Sequence, residues 1–200
     1  MELIPIIKLK KQRILDHPKS FFKDFLKEFD ENQKIYILDL DGIDKDKPNL
    51  CTFQRLSSSY ELWVDFGPKN LGDVVDSVMA GATAITLRKP LWPNINFSDI
   101  KDITENKIFT NLDFEYKGKY DFREIHLQQI DGFVNFYTRE KIESSFQDSD
   151  YFKTIGMKNK IYTYESNIKN ISYWKGFGIK GLLIDFDKIK EFKKWIPKEK

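Results

Sequence analysis

Lys34-Ile35-Tyr36-Ile37-Leu38-Asp39-Leu40 is a short β-rich run, dense in β-branched and aromatic residues and closed by an aspartate. The same form recurs along the chain. Working outward from it, eight such runs stand at regular intervals: Leu3 to Leu9, Lys34 to Leu40, Glu61 to Phe66, Ala84 to Arg88, Ile108 to Phe114, Gly132 to Tyr137, Lys160 to Tyr164 and Gly181 to Phe186. Helical patterns lie between them. The clearest is Lys19 to Phe29, where Phe21, Phe22, Phe25, Leu26 and Phe29 repeat at three and four and make one apolar face. Leu71 to Ala80 reads as a helix ended by Gly81, and Lys188 to Ile196 as a helix started by Asp187. Weaker helices are Gln54 to Ser59, Phe97 to Thr104 and Ile168 to Gly178. Thr138 to Asn159 reads as a long loop or an irregular helix pair.

Alternating strand and helix signals point to a parallel α/β fold. Eight units in 200 residues average about 25 residues each, enough for a short strand, a three-turn helix and two tight loops. The expected fold is a minimal single-domain (βα)8 barrel covering residues 1–200; an open doubly wound sheet is the alternative. No linker or low-complexity tract marks a second domain.

Composition narrows the function. With 33 basic and 31 acidic residues the net charge is +2, which argues against a chain built chiefly to hold nucleic acid or anionic membrane. Aromatics at 15% exclude a solvated, disordered polymer. Cys51 is the sole cysteine, so an intramolecular disulfide and a cysteine zinc site are both excluded, as suits a reducing cytosol. His17 and His126 are the only histidines and are read as a loop residue and an outer-helix residue. The run Leu3-Ile4-Pro5-Ile6-Ile7 is broken by Pro5 and followed by lysines, so it is neither a leader nor a membrane span. A cytoplasmic protein acting on a small molecule is expected, with no nucleic-acid or membrane partner and its oligomeric state open.

In parallel α/β folds, ligands gather at the carboxyl ends of the strands. Four runs there end in an apolar residue and an aspartate, namely Asp39, Asp65, Asp113 and Asp185, while Lys8, Lys10, Arg88 and Lys89 end two others. Strand alternation lets only about half of these point to one face. The functional reading is carboxylates as acid and base with cations holding an anion. The structural reading is that each aspartate caps the next helix or closes a turn, as Asp41-Gly42 and Asp187 suggest. Lys8 either pairs with an acid such as Asp113 or Asp185, in which case a shifted pKa would suit it to amine chemistry, or reaches solvent at the mouth. Asn111 and Tyr164 complete the candidate substrate-binding set of Lys10, Asp65, Arg88, Lys89 and Asp185; Asp113, Lys8 and Asp39 are the candidate catalytic residues. No glycine-rich phosphate cradle is present and no organic cofactor is implied. A divalent cation on clustered aspartates is a third reading without diagnostic spacing.

In order, Leu3-Ile4-Pro5-Ile6-Ile7-Lys8-Leu9-Lys10, Ile35 to Gly42, Leu62-Trp63-Val64-Asp65-Phe66-Gly67-Pro68-Lys69, Ala80-Gly81-Ala82 and Asn111-Leu112-Asp113 resemble the ribotide isomerases of histidine biosynthesis and their archaeal relatives. The likeness spans about the first 115 residues. It implies a (βα)8 barrel in which aspartates at the ends of the first and fifth strands move protons during a sugar-ring rearrangement. Asp113 matches the second aspartate; Lys8 stands at the first, which removes the usual proton shuttle. A divergent enzyme with another substrate follows from the resemblance, or a non-catalytic barrel whose strand ends are plugged by Phe66, Phe114, Tyr164 and Phe186.

Overall fold

The computed structural model describes residues 1–15, 30–112 and 129–195. The Lys19 to Phe29 helix, His17, Asp113, Phe114 and His126 lie outside the described residues. Each of the eight β-rich runs contains a strand: β1 (Glu2–Lys10), β3 (Lys34–Asp39), β4 (Glu61–Asp65), β5 (Ala82–Leu87), β6 (Lys107–Asn111), β7 (Gly132–Asn135), β8 (Ile161–Tyr164) and β9 (Gly181–Asp185). A two-residue strand, β2 (Arg13–Ile14), pairs antiparallel with β1. The strand order is β2-β1-β3-β4-β5-β6-β7-β8-β9, with β1 also bonded to β9. Eight parallel strands with alternating helices, joined last to first, make a (βα)8 barrel; the β1–β9 pairing sets aside the open sheet.

Contacts divide the chain into two compact units, one of Ile6–Ile108 and one of Met1–Pro5 with Phe109–Lys200. In the first, Tyr36 is level with Ile6 and Trp63, and Leu38 with Lys8 and Asp65. Alternation then divides each strand between two faces. Ile35, Ile37 and Asp39 lie on the face that carries helices α1 (Leu40–Lys45) and α2 (Leu50–Ser57). Tyr36, Trp63, Asp65 and Thr86 lie on the other, helix-free face. The segment Gln54 to Ser59 proves to be the end of a longer helix beginning at Leu50, which buries Phe53 and Leu56. Helix α3 (Leu71–Met79) is capped by the Asn70 side chain, which accepts from the Asp73 amide, and Gly81 at φ +87° turns the chain into β5. Helix α4 (Phe97–Ile103) is capped likewise by Asn96.

In the second unit, Phe133, Ile161, Leu182 and Ile184 pack with Phe152, Trp174 and Phe192 in one buried cluster. Those aromatics come from α6 (Phe146–Lys158), α7 (Ile171–Gly176) and α8 (Ile189–Trp195), so this is the helix side of the sheet. The stretch from Thr138 to Asn159 is a helix pair, α5 (Arg139–Glu143) and α6, started by the Thr138 hydroxyl accepting from the Lys141 amide. Phe109, Asn111, Tyr162, Tyr164 and Asp185 alternate onto the opposite face, where the Phe109 and Tyr162 rings meet edge to face at 5.7 Å.

The β1–β2 hairpin has no signal in the sequence. Its two turn residues, Lys11 and Gln12, sit at φ 51° and 58°, a left-handed pair that usually calls for Asn or Gly. Outside support holds it, since the Lys11 amide donates to the Asp41 carboxylate.

Gly42, in the first turn of α1, shows how closely that helix meets the end of β4. A Cβ there would lie 2.5 Å from the Phe66 carbonyl oxygen and 2.8 Å from its Cβ. Alanine normally gains about 1 kcal/mol over glycine within a helix, yet here the backbone itself must move. Gly42→Ala is therefore expected to destabilise the fold by about 2 kcal/mol in urea titration; an unchanged or higher midpoint would show that α1 sits looser than this.

Candidate functional site

Each strand-end aspartate meets a different set of donors, and that decides what it can do. Asp39 is fully buried on the helix side. Its Oδ1 accepts from the Asp41 amide at 3.1 Å, the Gly42 amide at 3.4 Å and Asn49 Nδ2 at 2.7 Å, and its Oδ2 from the Asn49 amide at 2.6 Å. Burial raises its pKa, against the pull of these four hydrogen bonds. Asp39 thus caps α1 and ties it to the start of α2. The cap expected of Asp41-Gly42 is supplied by Asp39; Asp41 lies within the first turn of α1. Asp41 accepts from the Lys11 amide, Asn49 Nδ2 and Lys45 Nζ. Although burial opposes it, those donors lower its pKa.

Asp65 lies on the helix-free face with 0% exposure. Arg88 grips it with both ends of its fork, Nε to Oδ1 at 2.8 Å and an Nη to Oδ2 at 2.7 Å. The Tyr36 hydroxyl, 2.8 Å from Asp65 Oδ2 and 3.2 Å from Thr86 Oγ1, joins the pair to a second donor, Trp63 Nε1, which reaches the same Thr86 oxygen at 2.8 Å. Tyr36 and Trp63 also meet edge to face at 5.1 Å. This carboxylate is fully engaged by protein donors. The network braces β3, β4 and β5, and it occupies with side chains the face on which a ligand would otherwise sit.

In the second unit the outcome differs. Asp185 ends β9 at the position that would cap the 3-10 turn Phe186–Lys188, but its side chain makes no capping hydrogen bond. It accepts instead from the Tyr164 hydroxyl of the neighbouring strand at 2.6 Å. The Phe136 ring stands 6.2 Å from that of Tyr164. Tyr164 and Asp185 are both partly exposed, so a strand-end carboxylate and the phenol that donates to it stand within reach of a ligand. Asn111, which ends β6 on the same face, has a buried Oδ1 with no partner among the described residues. Glu165, the next residue after Tyr164, is spent internally, accepting from the Asn167 amide, Asn170 Nδ2 and Trp174 Nε1.

Of the candidate residues, the structure brings together Asp65 with Arg88, and Tyr164 with Asp185. Asp39 is turned to the opposite face of the sheet from Asp65. Lys8 shares the face of Tyr36 and Leu38, half-buried, and its carbonyl accepts from the Leu15 amide. Lys10 pairs with Arg13 in the hairpin. Lys89 follows Arg88, and burial lowers its pKa. Phe66 does not plug the strand ends; its ring packs 6.0 Å from Phe53 on the helix side. Tyr36, Trp63 and Thr86 were missed as polar partners, because an aromatic or threonine inside a β-rich run reads as core. Among the described residues no three His, Cys, Asp or Glu side chains gather where they could hold a metal ion, and no helix is long and apolar enough to cross a membrane.

The Asp65 network has a pH signature. Burial and the Asp65 charge hold the Tyr36 pKa well above 10, against the influence of Arg88. Above about pH 10 the unfolded chain loses a tyrosine proton that the native state keeps, so stability falls as pH rises. Tyr36→Phe removes that contribution. The stability gap between wild type and Tyr36→Phe, measured by urea unfolding, should narrow between about pH 9 and 11; a constant gap would mean that Tyr36 titrates as an ordinary phenol.

No protein-family model matches the chain, and no curated protein matches it; the reading of its function rests on its own residues and geometry.

Proposed function

We propose that the protein is a small-molecule enzyme using isomerase- or lyase-type acid–base chemistry on a carbonyl- or phosphosugar-containing metabolite, through a reaction other than that of the histidine pathway. The carrying observation is Asp185. It occupies a capping position, leaves the cap unmade and turns its carboxylate to Tyr164 at the carboxyl end of a barrel strand, where barrels keep their chemistry. Asp185 takes a proton from the carbon beside a substrate carbonyl, while the Tyr164 hydroxyl hydrogen-bonds to the carbonyl oxygen as charge develops there. Return of the proton to the neighbouring carbon completes an isomerisation; loss of a leaving group completes an elimination. Asn111 is placed on the same face to orient a hydroxyl. Asp113, from the family resemblance, is the second acid–base candidate, with Lys8 as an anchor or amine.

A second reading, a barrel that binds a metabolite or a partner protein without catalysis, is favoured by the use of Asp39 and Asp65 for internal hydrogen bonds.

Two measurements separate these readings. Thermal unfolding across phosphosugars and carbonyl metabolites finds binders, since a ligand selective for the native state raises its stability. Proton NMR in deuterated water then reports exchange of the ligand hydrogen beside its carbonyl. Exchange with wild type that falls about 100-fold or more in Asp185→Asn and in Tyr164→Phe is the expected result. Binding without exchange would favour the non-catalytic reading, and exchange that persists in Asp185→Asn would remove the assigned base.

A further inference from the structure

A groove of about 380 Å³ opens at the other end of β8 and β9, lined by Met1, the last turn of α6 and the residues leading into the two strands. Three of its side chains are lysines, Lys158, Lys160 and Lys180. In a chain whose charges nearly cancel, at +2 overall, this is a local excess of cations. Backbone ties fix where two of them stand. The Lys160 carbonyl accepts from the Phe133 amide at 2.8 Å, and the Lys180 amide donates to the Ile161 carbonyl at 2.8 Å. Lys158 ends α6.

Acidic neutralisation is partial. Glu2 faces Lys180 at 3.6 Å and also lies 3.5 Å from the Tyr162 hydroxyl; Lys158 and Lys160 have no ion-pair partner among the described residues. Gly178, at φ +69°, is an exposed lining residue, and Ile179 beside it is buried. Met157, 84% exposed, forms an apolar rim.

We infer that this groove binds a small polyanion of the diphosphate class. Two ammonium groups with no ion-pair partner among the described residues, with a third shared by Glu2, match a compact ligand of several negative charges. The volume lies near the low end of ligand sites, about 300–1,000 Å³, and is too small for an extended acidic chain. Attraction between exposed charges of this kind weakens with added salt. The inference is independent of the Tyr164–Asp185 reading, since those residues end the same strands on the opposite side.

The test uses the full chain and sodium pyrophosphate as probe, with thermal unfolding and calorimetric titration at low and high salt. Pyrophosphate should raise the unfolding midpoint more than inorganic phosphate does, and less at high salt. Lys158→Ala combined with Lys160→Ala should weaken binding at least about tenfold, while Lys141→Ala, at an exposed α5 lysine outside the groove, should bind as wild type does. Circular dichroism checks that the double variant is folded, and single Lys160→Gln, expected to weaken binding several-fold, gives the decision should the double variant fail. Absence of pyrophosphate binding to wild type up to about 10 mM, or equal binding by the groove-lysine variants, would overturn the inference, as would an equal loss of binding in Lys141→Ala alone.

Discussion

A carboxylate with no solvent exposure must find its hydrogen-bond donors inside the protein, and in the Ile6–Ile108 unit that requirement governs the arrangement on the helix-free face. Asp65 meets it with a bidentate Arg88 and a tyrosine hydroxyl. Each donor comes from a different strand position, so satisfying one charge ties β3, β4 and the end of β5 into a single register. Thr86 accepts from Trp63 Nε1 and stands 3.2 Å from the Tyr36 hydroxyl, which leaves neither aromatic polar group unpaired in the core. Removing any one donor would expose the others to the cost of a buried, partly satisfied network.

The aspartates at the strand ends look alike in sequence and serve different ends in the structure. Their faces and neighbours decide. Asp39 points to the helix side, where the free amides at the start of α1 together with the side chain and backbone amide of Asn49 absorb both oxygens. Asp65 points away from the helices and is neutralised by Arg88. Asp185 also lies on the helix-free face, accepts from the Tyr164 hydroxyl and remains partly exposed. Of the three, only Asp185 combines exposure with a partly exposed hydroxyl donor, and for that reason the proposed chemistry is assigned there and not to the more buried pair.

The fold was legible because parallel strands covered on both faces must be short and apolar throughout, a pattern that the eight runs display. Glycines and capping residues marked several helix limits, as with Gly81. The hairpin Lys10 to Arg13 was illegible because Lys11 and Gln12 adopt left-handed backbones on the strength of a tertiary hydrogen bond from the Lys11 amide to Asp41, not of their own preference. At the site, sequence identified which acids and cations end the strands but not which were already engaged. That Asp65 belongs to Arg88 follows from register across two strands, and that Asp39 belongs to Asn49 follows from a contact ten residues away. The Tyr164–Asp185 pair required knowing that β8 and β9 are neighbours with both residues on one face.

The central claim is that Asp65 and Arg88 form a structural pair, leaving the chemistry to the other strand ends. A double-mutant cycle of Asp65→Asn and Arg88→Met, read by urea unfolding, tests it most directly. The expected result is that the two changes are far from additive, with a coupling of about 2–3 kcal/mol, because the second change relieves the charge that the first leaves unpaired. Additivity within about 0.5 kcal/mol would contradict it and would free both residues for a role with a ligand.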